Sequence, residues 1–87
     1  MYIGEKVKFR NEYGEAMKGE VVEVLSDSYD DVRVNGMGEV EYFSKKTDKY
    51  VPVRPKHEDS IFYEVETDIG MEYVFASEII ERFSGNI

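Results

Sequence analysis

The stretch that decides the fold reads Ile61-Phe62-Tyr63-Glu64-Val65-Glu66-Thr67-Asp68-Ile69-Gly70-Met71-Glu72-Tyr73-Val74-Phe75. From Ile61 to Thr67, apolar Ile61, Tyr63 and Val65 alternate with Phe62, Glu64 and Glu66. A period of two separates these residues into two faces only if the backbone is extended. Asp68-Ile69-Gly70 is rich in turn formers. Met71, Tyr73 and Phe75 then alternate with Glu72 and Val74. Two alternating segments around a short turn predict an antiparallel hairpin, and the expected fold class is all-β.

The same period extends outward. Val7 and Phe9 alternate with Lys6, Lys8 and Arg10, which predicts a strand with one buried face. Asn11 to Gly19 holds Gly14, Gly19 and several polar residues and reads as a long excursion. Glu20 to Leu25 resumes as a strand, with Val22 and Val24 on one side and Val21 and Leu25 on the other. Ser26 to Asp31 is dense in turn formers. Val32-Arg33-Val34 and Met37 to Phe43 flank Asn35-Gly36, a hairpin signal because both residues tolerate positive φ. Gly38 so soon afterwards suggests a bulge or a close backbone approach. Residues 44–60 show no usable period and contain Pro52 and Pro55, which predicts an irregular basic loop. Ala76 to Glu81 reads as a short terminal helical turn with Ser77 as its N-cap.

Eighty-seven residues make a single domain spanning 1–87. The expected architecture is a small barrel of five to seven short antiparallel strands. Gly4-Glu5-Lys6-Val7-Lys8-Phe9 resembles the opening strand of SH3-like barrel domains. Gly19-Glu20-Val21-Val22-Glu23-Val24 resembles the second strand that follows their long first loop. Tyr73-Val74-Phe75-Ala76-Ser77-Glu78-Ile79 is similar to the last strand and helical turn that close such barrels. The resemblance implies a fold that hosts many unrelated functions, among them peptide binding in an aromatic groove.

Charge narrows the partners. Met1 to Ser44 carries −5, Lys45 to Lys56 carries +4 and His57 to Ile87 carries −7, giving the net −8. An acidic body repels nucleic acid, so direct DNA binding is not expected. Absence of cysteine excludes disulfides, thiolate zinc sites and cysteine nucleophiles. No run approaches the ~18–20 apolar residues of a membrane helix, and Met1 to Lys6 lacks the pattern of a leader. A cytoplasmic protein without membrane contact is expected.

Catalytic and metal motifs are absent by type. His57, the one histidine, adjoins Glu58 and Asp59, a pattern more typical of a solvated turn than of a general base. Asp27, Asp30 and Asp31 do not follow the spacing of a calcium loop. Neither enzymatic activity, a metal nor a cofactor is expected. Two tyrosines, Tyr13 and Tyr29, fall in predicted loops where a peptide groove would need them, whereas Tyr63 and Tyr73 fall on apolar faces and read as core.

The leading candidate site is acidic. Glu64, Glu66 and Asp68 follow one strand face, and Glu72 is expected to return beside them. Phe62 and Val74 are expected to share that face and anchor contact. Same-face residues advance by about 6.6 Å, near the spacing of alternate phosphates along a DNA strand. The expected function is non-catalytic: an acidic surface that engages a basic patch on a partner protein. Its most specific form is a phage-type inhibitor that mimics DNA on a host nucleic-acid-handling protein. One alternative is an SH3-like peptide-binding module. Another is RNA or ribosome contact through Lys45, Lys46, Lys49, Tyr50, Arg54 and Lys56. Exposed strand edges would also allow a homodimer.

Overall fold

A computed structural model of the chain describes residues 1–83, without the side chains of Pro55, Lys56 and His57. Alternation of apolar and polar residues becomes strand where expected, at β1 (Lys6–Arg10) and β6 (Ile61–Thr67). Between and around them lie β2 (Ala16–Ser26), β3 (Val32–Val34), β4 (Val40–Ser44), β5 (Lys49–Pro52), β7 (Gly70–Phe75) and β8 (Ile79–Phe83). Two 3-10 turns, Pro55–Ser60 and Ala76–Glu78, complete the described residues. The fold is all-β, with every strand pair antiparallel.

The larger sheet has the order β7-β6-β2-β1-β8 and the smaller one β3-β4-β5. Val7, Phe9, Val21, Val24, Ile61, Tyr63, Val65 and Val74 form the buried core on the inner face of the larger sheet. Val32, Val34 and Val40 of the smaller sheet pack against it. Each sheet therefore buries one face and leaves the other to solvent.

Several expectations change. Eight strands form among the described residues, one more than the largest number expected. The segment 44–60 is not wholly irregular, because Lys49–Pro52 pairs with β4 and Pro55 opens a 3-10 turn. Four residues are too few to display a period. Pro52 is tolerated because β5 is an edge strand. The helical turn is not terminal either, since β-branched Ile79 and Ile80 pass directly into β8. Ser77 does not cap it. Phe75 stands at the N-cap position, and its N–H donates to Glu78 Oε1 at 2.9 Å.

The expected long excursion at Asn11–Gly19 is a hairpin loop of residues 11–15, since Arg10 pairs with Ala16. The long first loop implied by the SH3-like resemblance is thus absent between β1 and β2. Asn11 Oδ1 accepts the N–H groups of Tyr13 and Glu15, both at 2.9 Å. The β3–β4 loop repeats this device. Val34 pairs with Val40, and Asn35 Oδ1 accepts the N–H groups of Met37 and Glu39. Gly14 and Gly38 occupy the same place in Asn-x-x-Gly-Glu, each with φ of 80°. The asparagine amide thus replaces the two-residue Asn-Gly turn that the sequence suggests.

A partly buried ion pair ties the segment before β1 to β8. Glu5 Oε1 accepts from Arg82 Nη2 at 3.0 Å, and Tyr2 N–H donates to the same oxygen at 3.0 Å. The Arg82 hydrogen bonds hold the Glu5 carboxyl below its ordinary value, against the opposing effect of burial. A lowered carboxyl pKa stabilises the fold above the unfolded value of about 4.5, and that contribution disappears as pH falls through the folded value. Arg82 is half-exposed, so Arg82→Ala is expected to cost about 1–2 kcal/mol at neutral pH. Denaturant titrations should show the gap from the parent narrowing below about pH 4. A gap independent of pH would assign the loss to packing of the arginine stem.

Candidate protein-binding face

The outer face of the larger sheet is built from three rows that cross neighbouring strands. Directly opposed residues of an antiparallel pair share a face, with Cβ atoms about 4.5–5.5 Å apart. The first row is Phe75–Phe62–Leu25, across β7, β6 and β2. The second is Tyr73–Glu64–Glu23 over the same strands. The third is Met71–Glu66–Glu20, continued by Lys6 on β1 and Phe83 on β8.

Four carboxylates therefore form a block two residues wide and two strands deep. Glu64 and Glu66 contribute one edge, while Glu23 and Glu20 stand directly opposite them. Like charges in this register are destabilising. In the third row Lys6 faces Glu20 from the other side and offsets the repulsion. The second row has no such base, and among the described residues no cation lies within ion-pairing distance of Glu23 or Glu64.

Aromatic surface borders the block. Tyr73 is 66% exposed, Met71 47% and Phe75 39%. The Phe62 ring meets Tyr73 edge-on at 6.0 Å and Phe75 tilted at 5.5 Å. These residues lie on or beside β7, a sheet edge with no paired neighbour on its outer side. Apolar side chains at an open edge gain more from being covered than scattered ones do.

Of the residues expected here, Glu64, Glu66 and Phe62 lie together on this face. Asp68 sits in the β6–β7 turn and borders, with Glu66, a hollow that also contains Lys6, Lys18 and Phe83. Glu72 and Val74 do not belong to it. Thr67 pairs with Gly70, so only two residues intervene and the parity of the numbering reverses between strands. Glu72 consequently opposes Val65 and Val74 opposes Tyr63, both on the inner face. Val74 is core, at 2% exposure. Tyr73, expected in the core, projects outward instead for the same reason.

Glu20, Glu23, Tyr73 and Phe75 also lie on this face, beyond the residues expected there from the sequence. Recognising the two-residue turn would have placed Tyr73 and Phe75. Glu23 carries no comparable signal, because a register shift between Val21 and Glu23 turns it outward. That bulge also puts Val21 and Val24, rather than Val22 and Val24, on the buried side.

The alternative basic site is partly assembled. Lys45 and Lys46 occupy the β4–β5 turn and Lys49 begins β5, all exposed, and Arg54 follows the strand. Lys56 and His57 lie outside the described side chains. Tyr50 is already engaged: Arg33 stacks on its ring at 3.8 Å, Phe43 meets it edge-on at 5.3 Å, and its hydroxyl donates to Asp31. The Asp31 hydrogen bond also raises the Tyr50 phenol pKa. The ring is therefore less available to stack on a base. For a peptide groove, Tyr29 stacks on Tyr42 at 4.1 Å whereas Tyr13 stands on the β1–β2 hairpin tip. Among the described residues no cluster of three metal-ligating side chains forms, and no helix is long and apolar enough to cross a membrane.

No protein-family model, curated protein or solved structure matches this chain.

Proposed function

We propose that this chain is a non-catalytic binding protein that docks a basic patch of a partner protein on the outer face of its larger sheet. One observation carries the reading: opposed carboxylates at Glu64/Glu23 and Glu66/Glu20 lie in register beside exposed Tyr73 and Phe75 and half-buried Phe62. Such a face costs stability when empty and becomes favourable when a cationic, partly apolar surface covers it. Charge would steer the encounter, and desolvated aromatic rings would supply most of the affinity. An SH3-like barrel of cytoplasmic location fits this role and remains part of the proposal.

The narrower reading, a phage-type DNA mimic, draws less support from the geometry. Of the expected ladder, Glu64 and Glu66 keep the strand-axis spacing of alternate phosphates while Glu72 faces inward, and Glu23 and Glu20 widen the block sideways. Competition by double-stranded DNA would distinguish a mimic from a more general acidic interface.

The test is capture from a lysate on the immobilised chain, with and without nuclease treatment. A basic protein should be retained at low salt, and its affinity should fall about tenfold between roughly 0.05 and 0.3 M salt. Release of that protein by double-stranded DNA would support mimicry. Recovery only of RNA-dependent material, lost after nuclease, would overturn the acidic-face reading and transfer function to Lys45, Lys46 and Lys49.

A further inference from the structure

The two sheets present related constellations, and only one is filled. On the outer face of the smaller sheet, Arg33 stands directly across from Glu41. Its guanidinium meets the carboxylate at 3.0 Å and lies over the Tyr50 ring at 3.8 Å. One side chain thus answers a carboxylate and an aromatic face together. Arginine does this well, because its planar guanidinium can stack and donate in the same pose, whereas a lysine ammonium is a compact, strongly hydrated charge.

On the larger sheet the second row supplies the same two components. Tyr73 and Glu64 are direct cross-strand neighbours, and Glu23 adds another carboxylate on the far side of Glu64. Among the described residues this row has no cation, while the third row has Lys6 across from Glu20. Tyr73 is also the most exposed of the aromatic residues on this face. The unpartnered seat is therefore local, and its chemistry is more specific than negative charge alone.

Resting on the proposed acidic-face function, we infer that Tyr73, Glu64 and Glu23 form a seat for an arginine side chain of the partner protein. The guanidinium lies over the Tyr73 ring and donates to the two carboxylates. Phe62 and Phe75 flank the position and exclude water from the arginine stem. Charge complementarity selects a basic partner, and the ring beside the carboxylates selects arginine over lysine.

Two capped peptides of equal charge provide the test, one alternating glycine with arginine and the other glycine with lysine. Dissociation constants and amide and ring shifts are followed by NMR at low salt. The arginine peptide should bind about fivefold more tightly, with shifts centred on Tyr73, Glu64 and Glu23. Tyr73→Leu keeps apolar bulk at an exposed site and should bring the two affinities within about twofold. Glu23→Gln should weaken the arginine peptide severalfold, whereas Glu20→Gln should change it less. Equal affinity for both peptides, or an arginine preference that survives Tyr73→Leu, would overturn the seat while leaving a basic partner intact. Binding of neither peptide would also overturn it, and lysate capture judges the wider face separately.

Discussion

The double substitution Glu64→Lys/Glu66→Lys is expected to weaken partner binding by about a hundredfold or more while leaving the protein as stable as before, or more so. Binding suffers because the change both removes two carboxylates and places two ammonium groups against a cationic surface. Stability moves the other way because Glu64 faces Glu23 and Glu66 faces Glu20. Each like-charge opposition becomes an opposite-charge pair, worth roughly 0.2–1 kcal/mol relative to a neutral pair. The lysine stems can lie along the strand surface with their charges in water. A rise of about 2–16 °C in melting temperature would fit these magnitudes for a domain of this size. Thermal melts and partner titrations on the same samples make the comparison. Undiminished affinity would remove Glu64 and Glu66 from the interface, and a fall in melting temperature would contradict the opposed-charge register.

Gly19→Ala should produce the largest loss of stability, on the order of 3 kcal/mol. Gly19 pairs with Val7 within the β1–β2 ladder. A Cβ there would lie 2.6 Å from the Glu66 carbonyl oxygen, 2.6 Å from Val65 Cγ1 and 3.1 Å from Thr67 Cγ2. Val65 is fully buried, and the carbonyl belongs to the neighbouring strand, so neither can yield cheaply. Relief would require β6 to move away from β2, which also displaces Glu66 from Glu20. A domain of this length is stabilised by about 4–13 kcal/mol in total, so the loss is a large part of it. Denaturant unfolding measures it directly, and a cost below about 1 kcal/mol would show that β6 shifts freely.

The inner faces of two strands could be read from residue order alone. Val7 and Phe9 on β1, and Ile61, Tyr63 and Val65 on β6, are buried as their alternation requires. Residue order also placed Phe62, Glu64 and Glu66 together, because faces within one regular strand follow from the period of two. Burial on one side is enough to fix such a pattern. The same local logic failed at Lys49–Pro52, where the strand is too short to show alternation, and at Ile79–Phe83, where two isoleucines in succession obscure it.

Relations between strands were a tertiary matter. Whether Tyr73 or Glu72 lies beside Glu64 depends on how many residues close the β6–β7 turn, and a change of one exchanges every side chain between faces. The turn closes at Gly70, whose φ of 134° suits glycine. Glu23 reaches the acidic block only through the register shift after Val21, which lets Val21 and Val24 both pack inward. No local propensity specifies that bulge. It is set by the core, which gains more from burying two valines than it loses from one unpaired position. Composition and local alternation suffice for an acidic, all-β chain and for the make-up of each regular strand face. Which faces meet follows from packing, because strand register and parity are settled by contacts between segments distant in the chain.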